Sequence, residues 1–137
     1  MDFTGGKLLH RRFYGGGKRQ LIARAVGLSS KFFPVVLDLT AGLGQDAFVL
    51  ANLGCQVTML ERSGIIAALL KDGLRRASEI TWFSDLKFEL VHQESKDYLQ
   101  QLPSNIKPDV IYLDPMFPLS ENSALVKKEM RLLRQVV

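Results

Sequence analysis

Pro34-Val35-Val36-Leu37-Asp38-Leu39, followed at once by Thr40-Ala41-Gly42-Leu43-Gly44-Gln45-Asp46-Ala47, decides how the rest of the chain is read. The first half is short, apolar and β-branched, and a polar side chain closes it, as in a strand buried on both faces. The second half is a glycine turn that runs straight into a helical pattern from Gln45 to Leu53, stopped at Gly54. A buried strand, a tight glycine turn and a helix together open a βαβ unit.

The same alternation continues outward. Gln56 to Glu61 reads as a second strand. Ser63 stands where a cap belongs for a helix from Gly64 to about Ala77, with Ile65, Ile66, Leu69, Leu70 and Leu74 as its apolar face. Trp82 and Phe83 fall in a loop that covers the edge of the core. Leu86 to His92 is a third strand, Ser95 to Gln101 a short helix, and Pro108 to Asp114 a fourth strand. Upstream, a helix from about Lys18 to Val26 carries Leu21, Ile22, Ala25 and Val26 on one face, and downstream an amphipathic helix spans Ser123 to Val136. The expected fold is α/β: a parallel sheet of four strands with helices on both faces and right-handed crossovers. Residues 1–31 read as a basic, glycine-rich arm and helix, and residues 32–137 as the core.

Length and composition agree with this. The chain has 137 residues, 47% of them hydrophobic, which suits one domain with one core. The single cysteine, Cys55, excludes an internal disulfide framework and fits a reducing compartment. No apolar run reaches the roughly eighteen residues of a spanning helix, and Met1-Asp2-Phe3-Thr4 starts no signal pattern. A soluble, cytoplasmic protein without a membrane partner is therefore expected. The net charge of +4 is unevenly spread. Residues 1–31 carry seven basic side chains against Asp2 alone, residues 32–120 seven against eleven acidic ones, and the tail is basic again. Basic ends of this kind attract phosphates by counterion release. Arg11, Arg12 and Lys18 in the arm, with Lys127, Lys128 and Arg131 on one face of the last helix, are the candidate phosphate contacts.

In a parallel sheet, ligands bind at the carboxyl ends of the strands where the strand order reverses. Asp38, Glu61, Glu94 with Ser95, and Asp114 follow the four strands at that one edge. Gly42 to Ala47 also satisfies the dinucleotide pattern G-x-G-x-x-G/A, with Glu61 about twenty residues on as a partner for ribose hydroxyls. A pyrophosphate, however, favours a helix N-terminus free of negative charge. Asp38 before the turn and Asp46 after it suit a ligand with cationic groups, such as S-adenosylmethionine (SAM). Asp114-Pro115-Met116-Phe117-Pro118 then suits methyl transfer to a planar exocyclic amine. The Asp114 carboxylate and the Pro115 carbonyl can accept the two amine protons and aim the lone pair, while Phe117 stacks on a base drawn out of its helix. Asp114, Pro115 and Phe117 are the candidate catalytic residues. Cys55 begins a strand far from this edge and is given no catalytic role, and His92 is read as packing.

These residues carry a resemblance. His10-Arg11-Arg12 with Gly15-Gly16-Gly17, Asp38 to Ala51, Met59 to Arg62, Ala67 to Leu70, Tyr112 to Pro118 and Ser123 to Arg131 resemble the bacterial small-subunit rRNA guanine-N2 methyltransferase J family. That resemblance implies a Rossmann-like class I SAM-dependent methyltransferase fold and methylation of a guanine N2 amine in small-subunit (16S) rRNA. Its partner would be that RNA or the 30S particle, and it implies no metal. Carried over position by position, cofactor contacts fall on Gln45, Asp46, Glu61, Arg62, Glu94, Ser95 and Asp114, and the strand end and glycine turn read above add Asp38, Gly42 and Gly44 as candidate cofactor residues. The family usually has Arg where Gln45 stands, Ser where Glu94 stands, and Asn-Pro where Ser63-Gly64 stand. It also has more strands than the four read here, so a catalytically incomplete or purely RNA-binding relative is the alternative. An NAD-type oxidoreductase domain is a second, and no hydride-transfer residues accompany the turn.

Overall fold

A computed structural model of the chain describes residues 2–6 and 21–115. Its elements run α1 (Leu21–Ala25), β1 (Val35–Asp38), α2 (Gln45–Asn52), β2 (Gln56–Glu61), α3 (Gly64–Ala77), α4 (Thr81–Ser84), β3 (Phe88–His92), α5 (Ser95–Gln101) and β4 (Val110–Tyr112). The four strands form one sheet in the order β3-β2-β1-β4, every neighbouring pair parallel. The chain steps outward from β1 to β2 to β3, then returns to add β4 on the other side of β1. The strand order therefore reverses between β1 and β4. Asp38 lies opposite Met59 on one side and Tyr112 on the other, at that reversal.

Val36, Leu37 and Asp38 are all buried, as two covered faces require. Two apolar clusters fill the interior. The first gathers Ala23, Val26, Leu28, Val36, Ala47, Leu50, Cys55, Val57 and Met59 beneath α2. The second joins Phe48, Ile66, Leu70, Ala77 and Phe83 to Phe3. Phe3 is 1% exposed, and its ring centroid lies 5.5, 5.8 and 5.7 Å from those of Phe48, Phe83 and Phe88. Nothing in the sequence pattern singled it out.

Several expectations need correcting. In α3 the buried stripe is Ile66, Ala67, Leu70, Gly73 and Ala77, while Ile65 is 58% and Leu69 48% exposed. At 100° per residue Ile65 and Leu69 rotate off the sheet, and small residues occupy the seam because the helix packs close to β2 and β3. In α1 the inward residues are Ala23 and part of Ile22, joined by Val26 just past its end, whereas Leu21 and Ala25 are exposed. Thr81–Ser84 is a helical turn rather than loop, and it buries Phe83. The strands are also trimmed: β1 lacks Pro34 and Leu39, β3 starts at Phe88, and β4 is only Val110–Tyr112. The helix expected at Ser123 to Val136 lies outside the described residues.

The crossover from β3 to β4 runs back over the sheet, so by the right-handed rule α5 lies on the face opposite α2 and α3. Helices on both faces are thus present, though α5 buries no residue. No described helix is long and apolar enough to cross a membrane.

Candidate active site

The turn after β1 is built by two glycines in left-handed conformation, Gly42 at φ 53° and Gly44 at φ 67°. Their surroundings differ. A Cβ on Gly44 would come within 3.1 Å of Leu70 Cδ2 and of Met59 Sδ, so this glycine lets α2 start directly against α3 and β2. A Cβ on Gly42 would meet only the Thr40 carbonyl, at 3.9 Å, so the backbone there faces open space in which a ligand can lie against it. The turn is stapled to β2 by Ala41 N–H to the Leu60 carbonyl (3.1 Å) and by Gly42 N–H to Glu61 Oε2 (3.1 Å).

Glu61 is buried, and its other oxygen, Oε1, accepts the Ser63 N–H at 2.7 Å. A carboxylate has about four lone-pair sites. Two hold the glycine turn and the start of α3 in place. Ser63 does occupy the N-cap position of α3, although its side chain makes no cap bond.

Asp38 is 2% exposed at the carboxyl end of β1. Burial pushes its carboxyl up to about 6, the Thr40 hydrogen bonds oppose that rise, and the like charges of Asp46 and Asp114 add to it. Asp46 is half-buried in the first turn of α2, and its Oδ2 accepts the Tyr112 hydroxyl at 2.9 Å. Asp114 is exposed just past β4, its N–H donating to Thr40 Oγ1 at 2.7 Å. Three carboxylates thus converge where the strand order reverses. Thr40 ties two of them together, with its N–H on Asp38 Oδ1 (3.0 Å) and its hydroxyl on the Asp114 backbone. Thr40 and Tyr112 were not among the expected site residues. The available signals were a hydroxyl beside the glycine turn and a polar-tipped aromatic two positions before Asp114.

The remaining positions lie along the same edge. Gln45 is exposed at the start of α2. Arg62 and Glu94 are exposed and 3.9 Å apart, a loose surface pair worth little energy. Ser95 reaches across β2, its hydroxyl donating to the Leu39 carbonyl at 2.6 Å. His92 is exposed, its Nε2 3.3 Å from the Arg62 carbonyl and its ring beside Gly64, so it braces the β2–α3 turn. Cys55 is buried away from the edge, and burial pushes its thiol up, which leaves it unreactive. Pro115 is exposed after Asp114. Phe117, Arg11, Arg12, Lys18, Lys127, Lys128 and Arg131 lie outside the described residues. Among the described residues no group of three or more His, Cys, Asp or Glu side chains could hold a metal ion.

Comparison with known proteins agrees with this architecture. A family model described as "Putative SAM-dependent methyltransferase" matches residues 1–137. Proteins named ribosomal RNA small subunit methyltransferase J are 58% identical in Coxiella burnetii, over 100% of this chain and 53% of theirs, and 54% identical in Vibrio parahaemolyticus, over 100% and 56%. The chain therefore spans about half the length of the curated relatives it matches. A crystal structure of a SAM-dependent methyltransferase from Neisseria gonorrhoeae is 40% identical with a TM-score of 0.64, over 73% of this chain and 45% of that one. The glycine turn, the reversal of strand order and these matches agree: the chain belongs to the SAM-dependent methyltransferase family, with small-subunit rRNA methyltransferases J as its similar curated relatives.

Proposed function

We propose that this chain binds SAM at the carboxyl edge of β1, β2 and β4 and serves methyl transfer to the exocyclic N2 amine of a guanine in small-subunit rRNA. The observation that carries the reading is the convergence of Asp38, Asp46 and Asp114 on a glycine turn whose Gly42 faces open space. Such an edge suits a cosubstrate with cationic groups and disfavours a pyrophosphate, which sets the oxidoreductase reading aside. The names of the relatives support the RNA substrate.

When bound, SAM supplies an electrophilic methyl group on a sulfonium. The chain's own residues do the rest. Glu61 takes the ribose hydroxyls, with Gln45, Arg62, Glu94 and Ser95 along the rim, and Asp38 and Asp46 face the cationic part. Asp114 accepts a hydrogen bond from the guanine amine, the Pro115 carbonyl accepts the second, and the nitrogen lone pair is thereby localised and aimed. The nitrogen so held would be the nucleophile for the methyl group that SAM would supply, and the Asp114 carboxylate would pass the amine proton to solvent. Phe117 stacks on the extruded base. Arg11, Arg12, Lys18, Lys127, Lys128 and Arg131 hold phosphates of the RNA or of the 30S particle, and a cytoplasmic location belongs to the same proposal.

A second reading has its own support. The chain spans 53% of its Coxiella relative, so cofactor or RNA binding without turnover is the alternative. Methyl transfer from labelled SAM to small ribosomal subunits lacking the modification tests both, alongside calorimetry with SAM and NADH. Incorporation that Asp114→Asn reduces by about a hundredfold is expected, in the range of a lost general base. SAM binding without incorporation favours the second reading, and binding of NADH but not SAM overturns both.

A further inference from the structure

The hydrogen bond between Tyr112 and Asp46 joins two elements that carry different halves of the proposed chemistry. Tyr112 ends β4, two residues before Asp114 in the amine-holding loop, and Asp46 opens α2 beside the glycine turn. The two are 66 positions apart in the chain, yet the phenol oxygen lies 2.9 Å from Asp46 Oδ2. Tyr112 stands opposite Asp38, and its carbonyl accepts the Leu39 N–H at 3.1 Å, so its backbone is fixed at the reversal of strand order. Its ring packs against the first apolar cluster. A half-buried tyrosine of this kind is a stiff strut, with an apolar body in the core and one donor at its tip.

We infer that Tyr112 is a positioning residue for the methyl donor, its hydroxyl holding the Asp46 carboxylate toward the donor's cationic amino-acid end. The inference rests on the SAM-binding reading above and assigns a residue that reading did not include. The physical need is plain. Asp38, Asp46 and Asp114 carry like charges at one edge, and repulsion alone would turn the least buried side chains out to solvent. A hydrogen bond donated to an ionised carboxylate is of the stronger kind and fixes one rotamer against that repulsion. Burial and the neighbouring Asp46 push the Tyr112 hydroxyl up, so it remains a proton donor throughout the neutral range.

Calorimetry on the whole chain tests this with two ligands, SAM and 5′-methylthioadenosine, which keeps the nucleoside but lacks the amino-acid end. Tyr112→Phe keeps the ring and removes only the hydroxyl. It is expected to weaken SAM by about tenfold while leaving methylthioadenosine within about twofold, the loss of one charge-assisted bond. Asp46→Asn should weaken SAM to a similar degree, and adding Tyr112→Phe to it should change little more. Equal weakening of both ligands by Tyr112→Phe would mean a merely structural role and overturns the inference, as does unchanged SAM affinity in either variant. Should Tyr112→Phe fail to fold, Tyr112→Met, which fills the same space with an adaptable apolar side chain and also lacks the hydroxyl, decides the matter through the same pair of ligands. A wild-type chain that binds neither ligand overturns the SAM reading itself, and this inference with it. A wild-type chain that binds both, with variants that do not discriminate, overturns the inference alone.

Discussion

Asp38 shows most clearly how one residue's position sets its chemistry. Its place at the end of a buried strand was legible from the run Val35-Val36-Leu37, because an apolar run closed by an acid leaves little choice of face. Its environment was not legible, because Asp46 and Asp114 approach it through tertiary contacts. Burial lifts its carboxyl from 3.8 to about 6. An acid raised in the folded state binds more protons folded than unfolded between those two values, so its contribution favours folding at low pH and is lost as pH rises through that window. The cost above pH 6 is about 3 kcal/mol at most. Asp38→Asn should therefore stabilise the chain at pH 7 by about 2 kcal/mol and flatten its stability profile between pH 4 and 6. Urea melts across that range measure both effects. The same variant should lose SAM affinity, and in the wild type that affinity should rise as pH increases through 6. Glu61 was equally legible as a strand-ending acid, but its double hold on Gly42 and Ser63 became visible only with the strands side by side.

Among elements, α3 separates pattern from packing. Its extent, Gly64–Ala77, matches the sequence expectation, since helix length and glycine punctuation are local properties. Its inward face does not. Large apolar side chains suggested a stripe through Ile65 and Leu69, whereas close packing on the sheet selected Ala67, Gly73 and Ala77 for the seam. Ile66→Ala should therefore cost about 3 kcal/mol, as a cavity in a packed core does. Ile65→Ala and Leu69→Ala should each stay within about 0.5 kcal/mol. Denaturant unfolding of the three variants side by side checks this, and equal losses would restore the face expected from sequence. The trimmed β4 has the same kind of cause. Asp109 is spent on the β1 backbone, its Oδ2 accepting the Val35 N–H at 2.8 Å, and Asp114 turns away to Thr40.

For the whole molecule, the least legible feature is Phe3. It lies far in sequence from its described aromatic partners, follows no period, and yet closes the cluster of Phe48, Phe83 and Phe88 while resting 3.5 Å from the Cβ position of Gly44. The N-terminal segment thus packs directly behind the candidate cofactor turn. Phe3→Ala should destabilise the chain by about 3–5 kcal/mol and loosen that turn, read out as a lower melting temperature together with weaker SAM binding. A melting temperature near that of the wild type would show the cluster closing without it. The sequence by itself determined the order of the elements and their parallel connectivity, hence that Asp38, Glu61, Glu94 and Asp114 would follow four strands at one edge. Those properties follow from local periodicity, glycine punctuation and the handedness of crossovers. Only the tertiary structure decided which helix faces are buried, that Phe3 fills the core, and that Tyr112 meets Asp46 and Ser95 meets Leu39. Those contacts depend on strand order and on how closely helix and sheet approach, and no local pattern in the chain encodes either.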